Sequence, residues 1–164
     1  MERVEQIVHL VNANPGIRYS EIMMETGLKN GVLSHHLSKI EQAGRIIIER
    51  TPRVARIYPC GTSQQESTII KNLRNATTQR ILVALLEEDL TFKELVGRAK
   101  KSQGTVSLSL KKLCEEGIVR RKLDDGLSVF QLTNKSLLDS LIDKHKPSFI
   151  ENSANNISDI FSSL

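Results

Sequence analysis

The chain has 164 residues, 39% of them hydrophobic and 26% charged, a composition that suits one ordinary soluble domain or two small ones. No apolar run approaches the roughly 18–20 residues a bilayer span requires. The opening MERVEQIVHLV is acidic and helically periodic, unlike a secretory leader, so a cytoplasmic protein is expected. Cys60 and Cys114 lie far apart without a CxxC, which argues against a disulfide framework. The net charge is +4, but between residues 93 and 122 nine basic side chains face three acidic ones. Such a local excess favours an anionic partner, nucleic acid first.

In chain order, Val4, Ile7, Val8 and Val11 form an i, i+3, i+4, i+7 stripe, which predicts a helix over 2–12. Asn14-Pro15-Gly16 ends it. Ile17-Arg18-Tyr19 reads as a short extended piece, and Ser20 as the cap of a helix to about Thr26, closed by Gly27. A further helix is expected from about Asn30 to Ala43, stopped by Gly44. Ile46-Ile47-Ile48 and Val54 to Tyr58 then flank Thr51-Pro52-Arg53 as a hairpin. Gly61 to Glu66 reads as a polar linker, followed by a helix of about 66–75.

The second half repeats this order. A helix is expected over about 78–88 with Ile81, Leu82, Leu85 and Leu86 inward. Thr91 and Glu94 have capping-box spacing, helices follow at about 93–99 and 103–116, and Gly117 ends the last. Strands at 118–123 and 127–132 flank Asp124-Asp125-Gly126, a strong turn signal. Laid over each other at an offset of 73, the halves match without a gap: Glu21 on Glu94, Gly31 on Gly104, Ser34 on Ser107, Leu37 on Leu110, Gly44 on Gly117. Two copies of one unit are the economical explanation.

Helix, short helix, tight turn, helix, hairpin is the winged helix-turn-helix arrangement. The expected fold class is therefore mostly α with small β-hairpin wings (α+β), as two tandem winged helix-turn-helix domains. The domains are 1–60 and 78–133, joined by a linker with a short helix at 61–77 and followed by a C-terminal helix and tail at 134–164. The stretches LSHHLSKIEQAGRI and VSLSLKKLCEEGIV resemble the recognition helices of ArsR-like and MarR-like regulators. A Ser, apolar residues at three-residue steps, then a helix-ending Gly carry the likeness, and tandem copies look most like the archaeal type. The resemblance implies a sequence-specific regulator of transcription that binds double-stranded DNA.

A helix fits the major groove with its N-terminal residues at the base edges. Leu33, Leu37 and Ile40 would seat one such helix, and Val106, Leu110 and Leu113 the other. The expected DNA-facing set in the first copy is Asn30, Val32, Ser34, His35, Ser38 and Lys39, with Arg53 and Arg56 from its wing. In the second copy it is Lys100, Lys101, Gln103, Thr105, Ser107, Lys111 and Lys112, with Arg120, Arg121 and Lys122 from the wing. Arg50 and Arg98 lie beside these sets. Short polar side chains can pair with bases and cations with phosphates. The more basic second copy is expected to bind phosphate more strongly.

Adjacent His35 and His36 point about 100° apart on a helix, poor geometry for one metal ion. His35 reads as a DNA-facing donor and His36 as a half-buried spacer; packing, or metal or pH sensing, are the other readings. Metal-sensing members of the ArsR-like family use cysteines in the preceding helix, which here reads SEIMMET. No metal or cofactor is expected. No catalytic motif is present either, so the chain does not read as an enzyme. With four phenylalanines, two tyrosines and no tryptophan, no aromatic-lined ligand pocket is expected. Leu137, Leu138, Leu141 and Ile142 predict a helix over about 134–146, and past Pro147 a face of Ile157, Ile160, Phe161 and Leu164 follows. These segments could form a homodimer, pack on the body or bind a partner. The rival to the DNA reading is a protein-interaction module of transcription or chromosome machinery.

Overall fold

A computed structural model describes residues 2–151. The chain divides into two compact units, Met1–Ser67 and Thr68–Leu164.

The first unit contains α1 (Arg3–Ala13), β1 (Ile17–Arg18), α2 (Tyr19–Thr26), α3 (Asn30–Gln42), β2 (Ile46–Arg50) and β3 (Ala55–Pro59). The strands form an antiparallel sheet of order β1-β3-β2, with Ile17 opposite Ile57 and Ile48 also paired to Ile57. The predicted stripes converge on one core that holds Ile7, Val11, Ile22, Leu33, Leu37, Ile40 and Ile57. Ser20 does not cap α2. The cap is Arg18, two residues earlier, where Glu21 reaches back to accept the Arg18 N–H at 3.1 Å. Gly27 closes α2 in the left-handed region, φ 70°.

Next in the chain comes α4 (Gln64–Leu73). The polar run at 61–66 is therefore helical in its second half. Ser63 Oγ accepts from Glu66 N while Glu66 Oε1 accepts from Ser63 N, a reciprocal cap that starts the helix early.

The second unit contains α5 (Ala76–Glu87), α6 (Phe92–Ala99), α7 (Gln103–Glu115), β4 (Val119–Asp124), β5 (Leu127–Leu132) and α8 (Lys135–Glu151). Asn75 caps α5 through Thr77 N and Thr78 N, and Thr91 with Glu94 forms the predicted box on α6. Ile81, Leu82, Leu85, Leu95, Val106, Leu113 and Phe130 are buried, whereas Leu86 stays half-exposed. Asp125 and Gly126 both have positive φ, 49° and 79°, the requirement of a type I′ hairpin turn. Helix α8 continues past Pro147 to Glu151 instead of stopping at 146. A proline deprives a helix of one backbone hydrogen bond, which can be absorbed without ending it. The apolar face expected at 157–164 lies outside the described residues.

The offset of 73 runs through the backbone as well as the sequence. It carries the start and end of α2 onto those of α6, and of α3 onto those of α7. It also carries the Ile17–Ile57 pairing onto the isolated bridge between Leu90 and Phe130. One correspondence breaks a chemical rule. Where the first unit has Gly27, the second has Lys100, also left-handed at φ 55°. A side chain there meets steric strain that glycine avoids.

Candidate nucleic-acid interface

Helix α7 is seated by Val106, Leu110 and Leu113, all buried. Ser102 caps it, accepting from Thr105 N at 3.2 Å and bonding Thr105 Oγ1 at 2.9 Å, which fixes where the first turn begins. Gln103, Thr105, Ser107, Lys111 and Lys112 are exposed, as are Lys100 and Lys101 in the turn before the helix. Among the described residues no salt bridge involves any of these four lysines. Their charge is available to an outside anion.

Helix α3 is seated in the same way by Leu33, Leu37 and Ile40. Val32, Ser34, His35, Ser38 and Lys39 are exposed, with Arg53 at the hairpin turn. Asn30 is exposed too, but its Oδ1 accepts from Tyr19 Oη at 2.5 Å, which leaves its amide N–H groups for another partner. His36 is half-buried and His35 exposed, their ring centroids 6.1 Å apart and tilted by 59°.

Several expected cations are spent inside the protein. Arg56 is only 8% exposed and donates from Nη1 to Gly16 O at 2.9 Å, so it does not stand on the outer face of the hairpin. Its strand, β3, is the middle one of the sheet, so Arg56 stands between Arg18 of β1 and Glu49 of β2. Arg50 makes two bonds of 3.0 Å to the Glu41 carboxylate, and Arg98 pairs with Glu87. Lys122 is half-buried and sits 2.8 Å from Asp89 Oδ2. On the second wing, Arg120 Nε donates to Gln131 and Arg121 lies 5.1 Å over the Phe130 ring, both still exposed. The Arg50 guanidinium holds the Glu41 carboxyl below its ordinary pKa, and Arg45 does the same for Glu5.

Reading the sequence missed Leu108. It is 72% exposed on α7, amid the polar face. The available signal was the offset: Leu108 falls on His35, already expected to face outward. The hairpin tip likewise carries exposed Leu123 and Leu127.

The structure also overturns the expectation that no aromatic-lined pocket exists. A concavity of about 530 Å³ opens between α7 and the β4–β5 hairpin, with Phe92 and Phe130 in its lining. Cys114 also lines it, and burial pushes that thiol's pKa up against the opposing pull of Arg121. Among the described residues, no group of three or more His, Cys, Asp or Glu is placed to hold a metal ion. None of the described helices is long and apolar enough to cross a membrane.

This arrangement, mostly helical with small antiparallel hairpins, is that of a winged helix-turn-helix protein, and the sequence agrees in one segment. Residues 77–121, from α5 into β4, match the family model described as bacterial regulatory protein, arsR family. Among solved structures, HlyU from Vibrio cholerae N16961 is similar at 23% identity and a TM-score of 0.45, over 53% of this chain and 95% of that one. The transcriptional repressor BigR from Xylella fastidiosa is similar at 21% and 0.43, over 49% of this chain and 83% of that one. The homodimeric winged helix-turn-helix DNA-binding domain of Mb0332 from Mycobacterium bovis is similar at 15% and 0.44, over 56% and 91%. No curated protein matches the chain.

The strained Lys100 yields a test of its own. Lys100→Gly is expected to relieve about 1 kcal/mol of backbone strain, partly offset by glycine's larger unfolded-chain entropy. A net gain of about 0.5 kcal/mol should appear in urea denaturation. The duplex binding proposed below should weaken severalfold, with a salt slope shallower by about 1. A fall in stability would show that the turn is not strained, and an unchanged affinity would show that the Lys100 charge does not meet DNA.

Proposed function

We propose that the protein is a transcription regulator that binds double-stranded DNA sequence-specifically through two tandem winged helix-turn-helix domains, the second making most of the phosphate contacts. The observation that carries this reading is the set of exposed lysines, Lys100, Lys101, Lys111 and Lys112, in and before α7, none in a salt bridge among the described residues. In this reading α7 enters the major groove, Gln103, Thr105 and Ser107 meet base edges, and Arg120 and Arg121 meet the flanking backbone. Helix α3 offers Ser34, His35, Ser38 and Lys39 to a neighbouring site. The reading is non-catalytic and places the protein in the cytoplasm on chromosomal DNA, as an archaeal-type regulator. A homodimer would form through C-terminal segments. Leu138, Leu141 and Ile142 of α8 are buried, and the segment past 151 lies outside the described residues.

The first test is titration of a random-sequence duplex between about 50 and 200 mM salt, where affinity should fall steeply and linearly on logarithmic axes. Absence of binding at the low end, or a flat response, ends the reading. Specificity has its own test. Leu108 is the one aliphatic side chain fully presented amid the polar face of α7, and thymine carries the only methyl group in the major groove. On a duplex obtained by site selection, thymine-to-uracil replacement should weaken wild-type binding by about fivefold to tenfold. Leu108→Ala should bind both duplexes equally. Equal binding by the wild type would remove Leu108 from base reading.

One observation favours a different use of the first unit. Arg45, Arg50 and Arg56 are engaged internally, and Met24 on α2 is exposed. With those three engaged, the expected cations left to the first unit are Lys39 and Arg53 beside α3, fewer than surround α7, and it would suit protein contact better than phosphate contact.

A further inference from the structure

We infer that Glu116 is a positioning residue, which with Asn72 and Lys71 anchors the last turn of α7 to α4 and so sets the tilt at which α7 meets base edges. The effect on DNA rests on the DNA reading; the anchoring of the helix end does not. Glu116 is the C-cap of α7, so its side chain leaves the helix at its very end. Its Oε1 accepts from Asn72 Nδ2 at 3.1 Å, and its Oε2 lies 2.9 Å from Lys71 Nζ. Asn72 is fully buried, and its Nδ2 also donates to Thr68 O at 2.8 Å. The Asn72 carbonyl accepts from Thr78 Oγ1 at 2.6 Å, so one residue joins α4, the first turn of α5 and the end of α7.

Two features of this contact work against stability. An anion at a helix C-terminus opposes the helix dipole. Asn72 Oδ1 is buried with no hydrogen-bond partner among the described residues, a desolvation cost that a leucine of similar size would not incur. Nor does the repeated unit require the anion, because at the offset of 73 the C-cap of α3 is Ala43. Lys71 and Asn72 also precede the segment 77–121 that matches the family model. Local rules broken together at one contact mark a place kept for its geometry. That geometry matters because α7 is a lever. Its 13 residues span about 20 Å, so a tilt of about 5° about the far end moves the first turn by about 1.7 Å. Hydrogen bonds to base edges do not survive such a shift, whereas flexible lysines still reach phosphates.

Glu116→Ala, which copies Ala43, should lower the ratio of affinities for a site-selected and a random-sequence duplex at least about tenfold, with the random-duplex affinity and its salt slope unchanged. Its urea midpoint should move by less than about 0.5 M. Glu116→Gln keeps an acceptor for Asn72 and should hold the ratio within about threefold. Asn72→Leu should repeat the loss, and the double variant with Glu116→Ala should be no worse than either single one. Equal losses on both duplexes, an unchanged ratio, a glutamine variant as poor as alanine or a larger midpoint shift overturns the positioning role. Hydrogen exchange tests the anchor without DNA. Protection of the Gly117 and Ile118 amides, which bond Cys114 O and Leu113 O, should fall at least about threefold in Glu116→Ala. Unchanged protection overturns the anchor. A chain that binds no duplex at all refutes the DNA reading, while amide exchange still decides whether Glu116 holds the end of α7.

Discussion

Replacing Lys101, Lys111 and Lys112 together by alanine should weaken duplex binding by about a hundredfold at ~0.1 M salt and flatten its salt dependence. Each neutralised phosphate contributes a slope of about 0.9, so losing three contacts should make the slope shallower by about 2.7. The prediction is sharp because no carboxylate among the described residues holds these three side chains. They are exposed, and among the described residues none sits in a salt bridge. Folding stability should therefore shift by no more than about 0.5 kcal/mol. Arg98→Ala and Lys122→Ala supply the contrast. Those cations are paired with Glu87 and Asp89, so their removal should alter the slope far less. A triple variant whose binding curve moves without a change of slope would mean that the lysines are not phosphate contacts.

Leu113→Ala should have the largest effect on stability. Leu113 is fully buried beneath α7, and truncating such a leucine removes apolar contact and leaves a cavity, at a cost of about 3–4 kcal/mol. Urea denaturation followed by circular dichroism measures it. Leu108→Ala makes the same chemical change on the same helix, at a position 72% exposed, and should shift stability by less than about 0.5 kcal/mol. The two variants separate seating from reading. Leu113→Ala lowers affinity by loosening the helix and should do so on every sequence alike. Leu108→Ala should change only the preference for thymine. Comparable destabilisation by both would show that α7 does not present one face to the core and the other to solvent.

The helices and hairpins were legible because their signals are local. A stripe such as Leu33, Leu37, Ile40 needs only the period of one helix. Gly27, Gly44 and Gly117 mark helix ends because each adopts a positive φ that other residues resist. Asp125-Gly126 specifies its turn for the same reason. The apolar stripes beneath α3 and α7 required no knowledge of what they pack against. Boundaries slipped where a capping side chain reached back three residues, as Glu21 and Glu66 do, since several nearby residues compete for that role.

The sequence by itself determined the order of elements, the repeat at an offset of 73 and the faces that seat α3 and α7, because these follow from spacing along the chain. Only the tertiary structure decided which cations remain available. Arg56 lies 40 residues from the carbonyl of Gly16 that it bonds, and Lys122 and Arg98 meet carboxylates from other elements. It alone brought Phe92 and Phe130 to one groove and twisted Lys100 into a glycine's conformation. A long charged side chain can reach in many directions, and its partner is chosen by whichever strands and helices the folded core places within a few ångströms.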